Sequence, residues 1–149
     1  MNAGGVPNTC KSNGPEDRVR MTENGVFDTL IVMAIKDVSD LRVYQLSLKL
    51  LKEIYETSTT IERADRNMTV HIKKTAAQIA PLIAEGYAKK SSAKEFKRFL
   101  EMAMGSSDEI VTHLKQLQIV KLADNNVDQL IEDYRSLSRQ INSLIKRWK

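Results

Sequence analysis

The sequence predicts an all-α protein, an antiparallel up-down-up-down four-helix bundle. Three observations lead there. Apolar residues recur at helical spacings in four segments between residues 39 and 148. Six Gly and three Pro in 149 residues are too few for the many tight turns of a sandwich or barrel. Leu, Ile, Lys, Glu, Ala and Ser dominate and aromatics make only 5%, a composition that favours helix. With 42% hydrophobic and 28% charged residues, the composition is that of a soluble globular protein.

Residues 1–36 read as a disordered or mis-called N-terminal extension, and 37–149 as the bundle domain. Gly4, Gly5, Pro7, Gly14 and Pro15 supply breakers there and no apolar period. The apolar run Val26 to Ile35 is too short to span a bilayer. Met21 and Met33 are alternative starts for translation. The first helix is predicted at 39–58, capped by Asp37 or Ser39. The second is predicted at 67–87, with Asn67 as cap and Gly86 near its end. The third opens on the capping-box sequence Ser92-Ala93-Lys94-Glu95 and runs to about Leu122. The fourth runs from Asn126 to about Trp148. Short connections make consecutive helices antiparallel neighbours.

Helix faces follow from a 100° step per residue. In the fourth helix Leu130, Tyr134, Leu137, Ile141, Leu144 and Trp148 form a narrow seam. In the third, Phe96, Phe99, Leu100, Ala103, Ile110, Leu114 and Leu117 form one stripe with Ser107 at its centre. The second turns Met68, Ile72, Ile79 and Ile83 to the core. Ala77, Pro81 and Ala84 form a small-residue face on its far side. The first helix has two apolar stripes. One is Leu41, Tyr44, Leu48, Leu51 and Tyr55, and the other is Val43, Leu46, Leu50 and Ile54. Four aliphatic side chains left in water forgo about 1.5–3 kcal/mol each. The second stripe is therefore expected at a partner surface, most economically another copy of the chain. Ala77, Pro81, Ala84 and Gly105 join this expected oligomer interface, because small residues permit close approach.

The search for catalysis is negative, and the sequence predicts no catalytic residue, no cofactor and no metal. One Cys excludes a disulfide framework and a Cys-cluster zinc site, and points to a reducing, cytoplasmic setting. A di-iron bundle needs Glu-x-x-His pairs. His113 instead has Glu109 four residues before it, and His71 has no acid three before it. Both histidines are assigned to packing or surface roles. No phosphate-cradling glycine loop or nucleophile elbow is present.

Charge is more informative. The net charge is +4, yet 1–36 balances to zero. Residues 63–98 hold nine Lys/Arg against three acids, net +6. Such an excess marks an anion-binding surface, with nucleic acid the first choice. The expected contacts are Lys73 and Lys74 on the second helix, Lys89, Lys90, Lys94, Lys97 and Arg98 around the start of the third, and Arg135, Arg139 and Lys146 on the fourth. A pair between Lys97 and Glu101 is expected to neutralise part of this charge.

Asp40 to Lys149 resembles the family of four-helix proteins encoded in 23S ribosomal RNA intervening sequences, which includes the accessory variability determinant of diversity-generating retroelements. Three blocks carry the resemblance: Leu41-Arg42-Val43-Tyr44-Gln45, Ile79-Ala80-Pro81-Leu82-Ile83-Ala84-Glu85-Gly86, and Glu95-Phe96 through Phe99-Leu100 to Ala103-Met104-Gly105-Ser106-Ser107-Asp108-Glu109. The chain departs from the pattern where Ala80 precedes Pro81 and where Leu82-Ile83 follows it. The resemblance implies a bundle assembled as a homopentameric ring with a basic surface and no catalytic site. Retroelement members bind a reverse transcriptase and its RNA. The expectation is thus a non-enzymatic, RNA-binding oligomer, accessory to a reverse transcriptase in one version. The alternatives are a protein–protein interaction scaffold and a metal- or cofactor-binding bundle enzyme, the latter opposed by the missing ligand motifs.

Overall fold

The computed structural model describes residues 35–61, 65–122 and 127–149. Four α-helices account for most of them: α1 (Arg42–Ile61), α2 (Arg66–Ala88), α3 (Ala93–Ile119) and α4 (Val127–Arg147), with a 3-10 turn at Val38–Asp40 before α1. The described residues contain no strand. Helix α2 packs on α1 and α3, and α4 packs on α3 and α1, so the four enclose a single apolar core.

The helix ends are set by side-chain capping. The Asp37 carboxylate accepts from the Ser39 N–H, and that of Asp40 accepts from the N–H groups of Lys36 and Asp37, both at 2.9 Å. These bonds close the 3-10 turn, so α1 starts later than residue 39. Asp65, not Asn67, caps α2, accepting from the Met68 N–H at 2.9 Å. Ser92 caps α3 as its sequence predicts, accepting from the Glu95 N–H at 3.3 Å. Helix α3 stops at Ile119, short of Leu122, because Lys121 turns left-handed at φ 58°. The Lys121 N–H then reaches the Gln118 carbonyl at 3.0 Å, and the Leu122 N–H the Leu117 carbonyl at 2.9 Å, a Schellman closure. The predicted cap Asn126 and the disordered segment, apart from its last two residues, lie outside the described residues. Those two residues make contacts with the bundle. Ile35 packs against the core and accepts a hydrogen bond from the Tyr87 hydroxyl at 3.2 Å, and Lys36 joins the Asp40 turn.

The stripes of α3 and α4 are buried as the spacing predicts, except that Leu144 is half-buried. Gly86 lies near the end of α2, as the sequence predicts, and the helix continues to Ala88 with Lys89 as its cap. It is buried where α2 meets α3: a Cβ there would lie 2.7 Å from the Phe99 Cβ and 3.0 Å from Phe96 Cδ2. Its role is close approach between helices.

Helix α1 corrects the predicted orientation. Val43, Leu50 and Ile54, expected at an oligomer interface, are only 4%, 0% and 2% exposed and belong to the protein's own core. Leu46 is half-buried against that core. Outside stand Leu48 and Tyr55, 44% and 51% exposed, with Tyr44 and Leu51 half-buried beside them. Period alone cannot rank two opposed apolar stripes. The physical difference is that one stripe is wholly aliphatic, whereas the other carries two tyrosines whose hydroxyls retain water as a partner.

Candidate nucleic-acid interface

The tight α2–α3 connection gathers five basic side chains. Lys89 ends α2, Lys90 lies in the turn, and Lys94, Lys97 and Arg98 occupy the first two turns of α3. Aromatic rings from the edge of the core organise two of them. The Lys90 ammonium sits 3.7 Å from the Tyr87 ring centroid, and that of Lys89 sits 4.2 Å from Phe99. Lys89 also donates to Glu85 at 3.0 Å, and Arg98 lies 3.7 Å from Glu95. The predicted Lys97–Glu101 pair is not formed among the described residues. Lys90, Lys94 and Lys97 make no ion pair there, so this corner keeps net positive charge.

The other predicted basic residues do not join it. Lys73 and Lys74 lie about 24 Å away along α2 by helical rise. Lys73 is half-buried, with its ammonium 5.2 Å from the Tyr55 ring centroid. Lys74 lines a groove between α2 and α3. On α4, Arg135 hydrogen-bonds Glu132, and Arg139 lies 3.9 Å from the same carboxylate. The bond from Arg135, then its charge and that of Arg139, hold the Glu132 carboxyl below the usual glutamate range. That ridge is therefore partly self-neutralised, while Lys146 is exposed.

Three of the predicted interface residues, Ala77, Pro81 and Gly105, meet in the α2–α3 groove, which has a volume of about 780 Å³. Ala84 does not line it and is half-buried. A Cβ on Gly105 would meet nothing within 4 Å, so this glycine is not explained by packing within the chain. Pro81 is exposed on the same side. Proline has no N–H to donate to the carbonyl of Ala77 four residues back, which leaves that carbonyl without its helical partner.

At one end of the groove the structure assembles what the sequence kept apart. His71 Nε2 lies 2.8 Å from Glu109 Oε1, and His113 Nε2 lies 3.4 Å from the same oxygen. The imidazoles meet edge to face, centroids 4.8 Å apart. The bond from His71 holds the Glu109 carboxyl below the usual glutamate range, against an opposing effect of burial and with further help from His113. Spacing rules confined to one helix missed this cluster. The usable signal is that His71 and Glu109 stand equally far from Lys90, on opposite sides of the turn.

The fold and this surface define an all-α, four-helix protein with a basic corner at one inter-helix turn. The family model described as 23S rRNA-intervening sequence protein matches residues 39–143. The chain belongs to that family, as the resemblance of its sequence blocks predicts. A search of curated proteins finds no match to it. No helix among the described residues is long and apolar enough to cross a membrane.

Proposed function

We propose that this protein is a non-enzymatic helical bundle that self-associates and binds structured RNA through its α2–α3 corner. One observation carries the RNA reading: Lys89, Lys90, Lys94, Lys97 and Arg98 cluster about one turn, where among the described residues only Glu85 and Glu95 pair with them. Phosphate contacts from such a cluster give salt-dependent affinity with little sequence preference. Few aromatic residues stand outside the core, which disfavours base stacking as the main mode. In the retroelement version of this role, a reverse transcriptase is the protein partner.

The bundle runs up-down-up-down in this reading. Gly86 beside Phe96 near the α2–α3 turn, and His71 beside Glu109 far from it, support that course. Self-association uses Leu48 and Tyr55 of α1 and the groove of Ala77, Pro81 and Gly105. Five copies is the number the family resemblance implies.

The test is a titration of structured RNA at low and moderate salt. We expect tight binding at low salt that weakens steeply as salt rises, with log affinity falling by about 0.7–0.9 per log unit of salt for each phosphate contact. Replacing Lys90, Lys94, Lys97 and Arg98 by Ala is expected to weaken binding and flatten that slope. No binding at low salt overturns the RNA reading. The exposed apolar residues of α1 then favour a protein–protein scaffold.

A further inference from the structure

We propose that His71, Glu109 and His113 form a binding site for a divalent transition-metal ion of the zinc class. Their donor atoms lie within 4.8 Å of one another. Two imidazole nitrogens and one carboxylate oxygen form a common three-ligand zinc set, with remaining positions left to water or another ligand. Tetrahedral coordination at 2.0–2.1 Å places donors about 3.4 Å apart. The two Nε2···Oε1 separations, 2.8 and 3.4 Å, are close to that spacing. Small side-chain rotations centre an ion among them, and His71 and Glu109 are half-exposed and free to make them.

The surroundings suit an ion. Gln116 Oε1 lies 3.0 Å from His113 Nδ1. An amide oxygen there can take the Nδ1 proton once an ion binds Nε2, the outer hydrogen bond that a metal-bound histidine commonly has. The ligands also stand on a firm base. Glu109 and His113 are one helical turn apart on α3, and His71 comes from α2, which shares its most extensive contact with α3. Two nitrogen donors select zinc, cobalt, nickel or copper over magnesium or calcium.

The site does not depend on the RNA reading and is tested without RNA. Chelator-treated, untagged full-length protein carrying Cys10→Ser, which removes the only thiol, is titrated with Zn²⁺ by calorimetry. A parallel titration with Co²⁺ is followed by visible absorption. We expect saturable uptake of one ion per chain at micromolar free metal, with a Co²⁺ spectrum showing nitrogen ligation. His71→Ala and His113→Ala should each weaken binding by at least about tenfold. Glu109→Gln should weaken it too, whereas Glu101→Gln should leave it unchanged. Circular dichroism checks that each variant keeps its helices. Absence of saturable binding, or binding that survives His71→Ala in a folded variant, overturns the site.

Discussion

The Ser107 hydroxyl donates to the backbone carbonyl of Tyr134 at 2.9 Å, joining α3 to α4 inside the core. Ser107 is 0% exposed among aliphatic neighbours, and this bond satisfies its only polar side-chain atom. Ser107→Ala is expected to lower unfolding stability by about 1 kcal/mol. Ser107→Leu should cost more, about 1–3 kcal/mol, because the closely packed helices must separate. Chemical denaturation of both variants measures the order.

The two helical glycines should respond oppositely to alanine. Gly86→Ala forces a Cβ against Phe99 and Phe96, and we expect net destabilisation of about 1–3 kcal/mol despite better helix propensity. Gly105→Ala meets open space in the protomer and should gain up to about 1 kcal/mol. If copies pack through the groove, the same substitution should weaken their association. Thermal melts combined with light scattering separate these effects.

The outward stripe of α1 gives a sharper contrast. Leu48→Glu with Tyr55→Glu should leave the helices folded and dissociate the proposed oligomer, because both side chains are exposed within the protomer. Leu50→Glu should instead unfold it, since an unpaired charge would replace a fully buried leucine. Circular dichroism and analytical ultracentrifugation distinguish the outcomes. An assembly unchanged by the double substitution would remove α1 from the interface.

The turn before α1 should be acid-sensitive. Backbone N–H bonds from Asp37 and then Lys36 hold the Asp40 carboxyl below the ordinary aspartate value of 3.8. The carboxylate is thus favoured in the folded state. Its contribution is fully present above the ordinary value and is lost as pH falls through the lower folded one. Amide exchange at Lys36 and Asp37 should accelerate over that acidic range. Asp40→Asn should accelerate it already at neutral pH.

Much of this arrangement was legible in the sequence because it is periodic. The seams of α3 and α4 and the Ser92 cap follow from spacing and local hydrogen-bond chemistry. Helix α1 was not legible in the same way: a helix apolar on two sides does not announce which side faces inward. The place of Gly86 near a helix end was legible, but not its contact role, because local signals cannot see Phe99 on the next helix. The basic residues were visible as a charge excess. Only the fold separates the corner at Lys90 from Lys73 and Lys74, and reveals Glu132 beside Arg135 and Arg139. The histidine cluster was invisible for the same reason, since His71 and Glu109 become neighbours only when α2 packs on α3.

The ring contact of Lys90 has an entropic consequence. A free lysine side chain samples many rotamers, and freezing it on an anion costs up to about 2 kcal/mol. Held 3.7 Å from the Tyr87 ring centroid, Lys90 has given up part of that freedom before any anion arrives. Lys94, exposed at the start of α3, has no such ring contact among the described residues. Two lysines of equal charge, four residues apart, would therefore differ in how much order an approaching polyanion must impose on them.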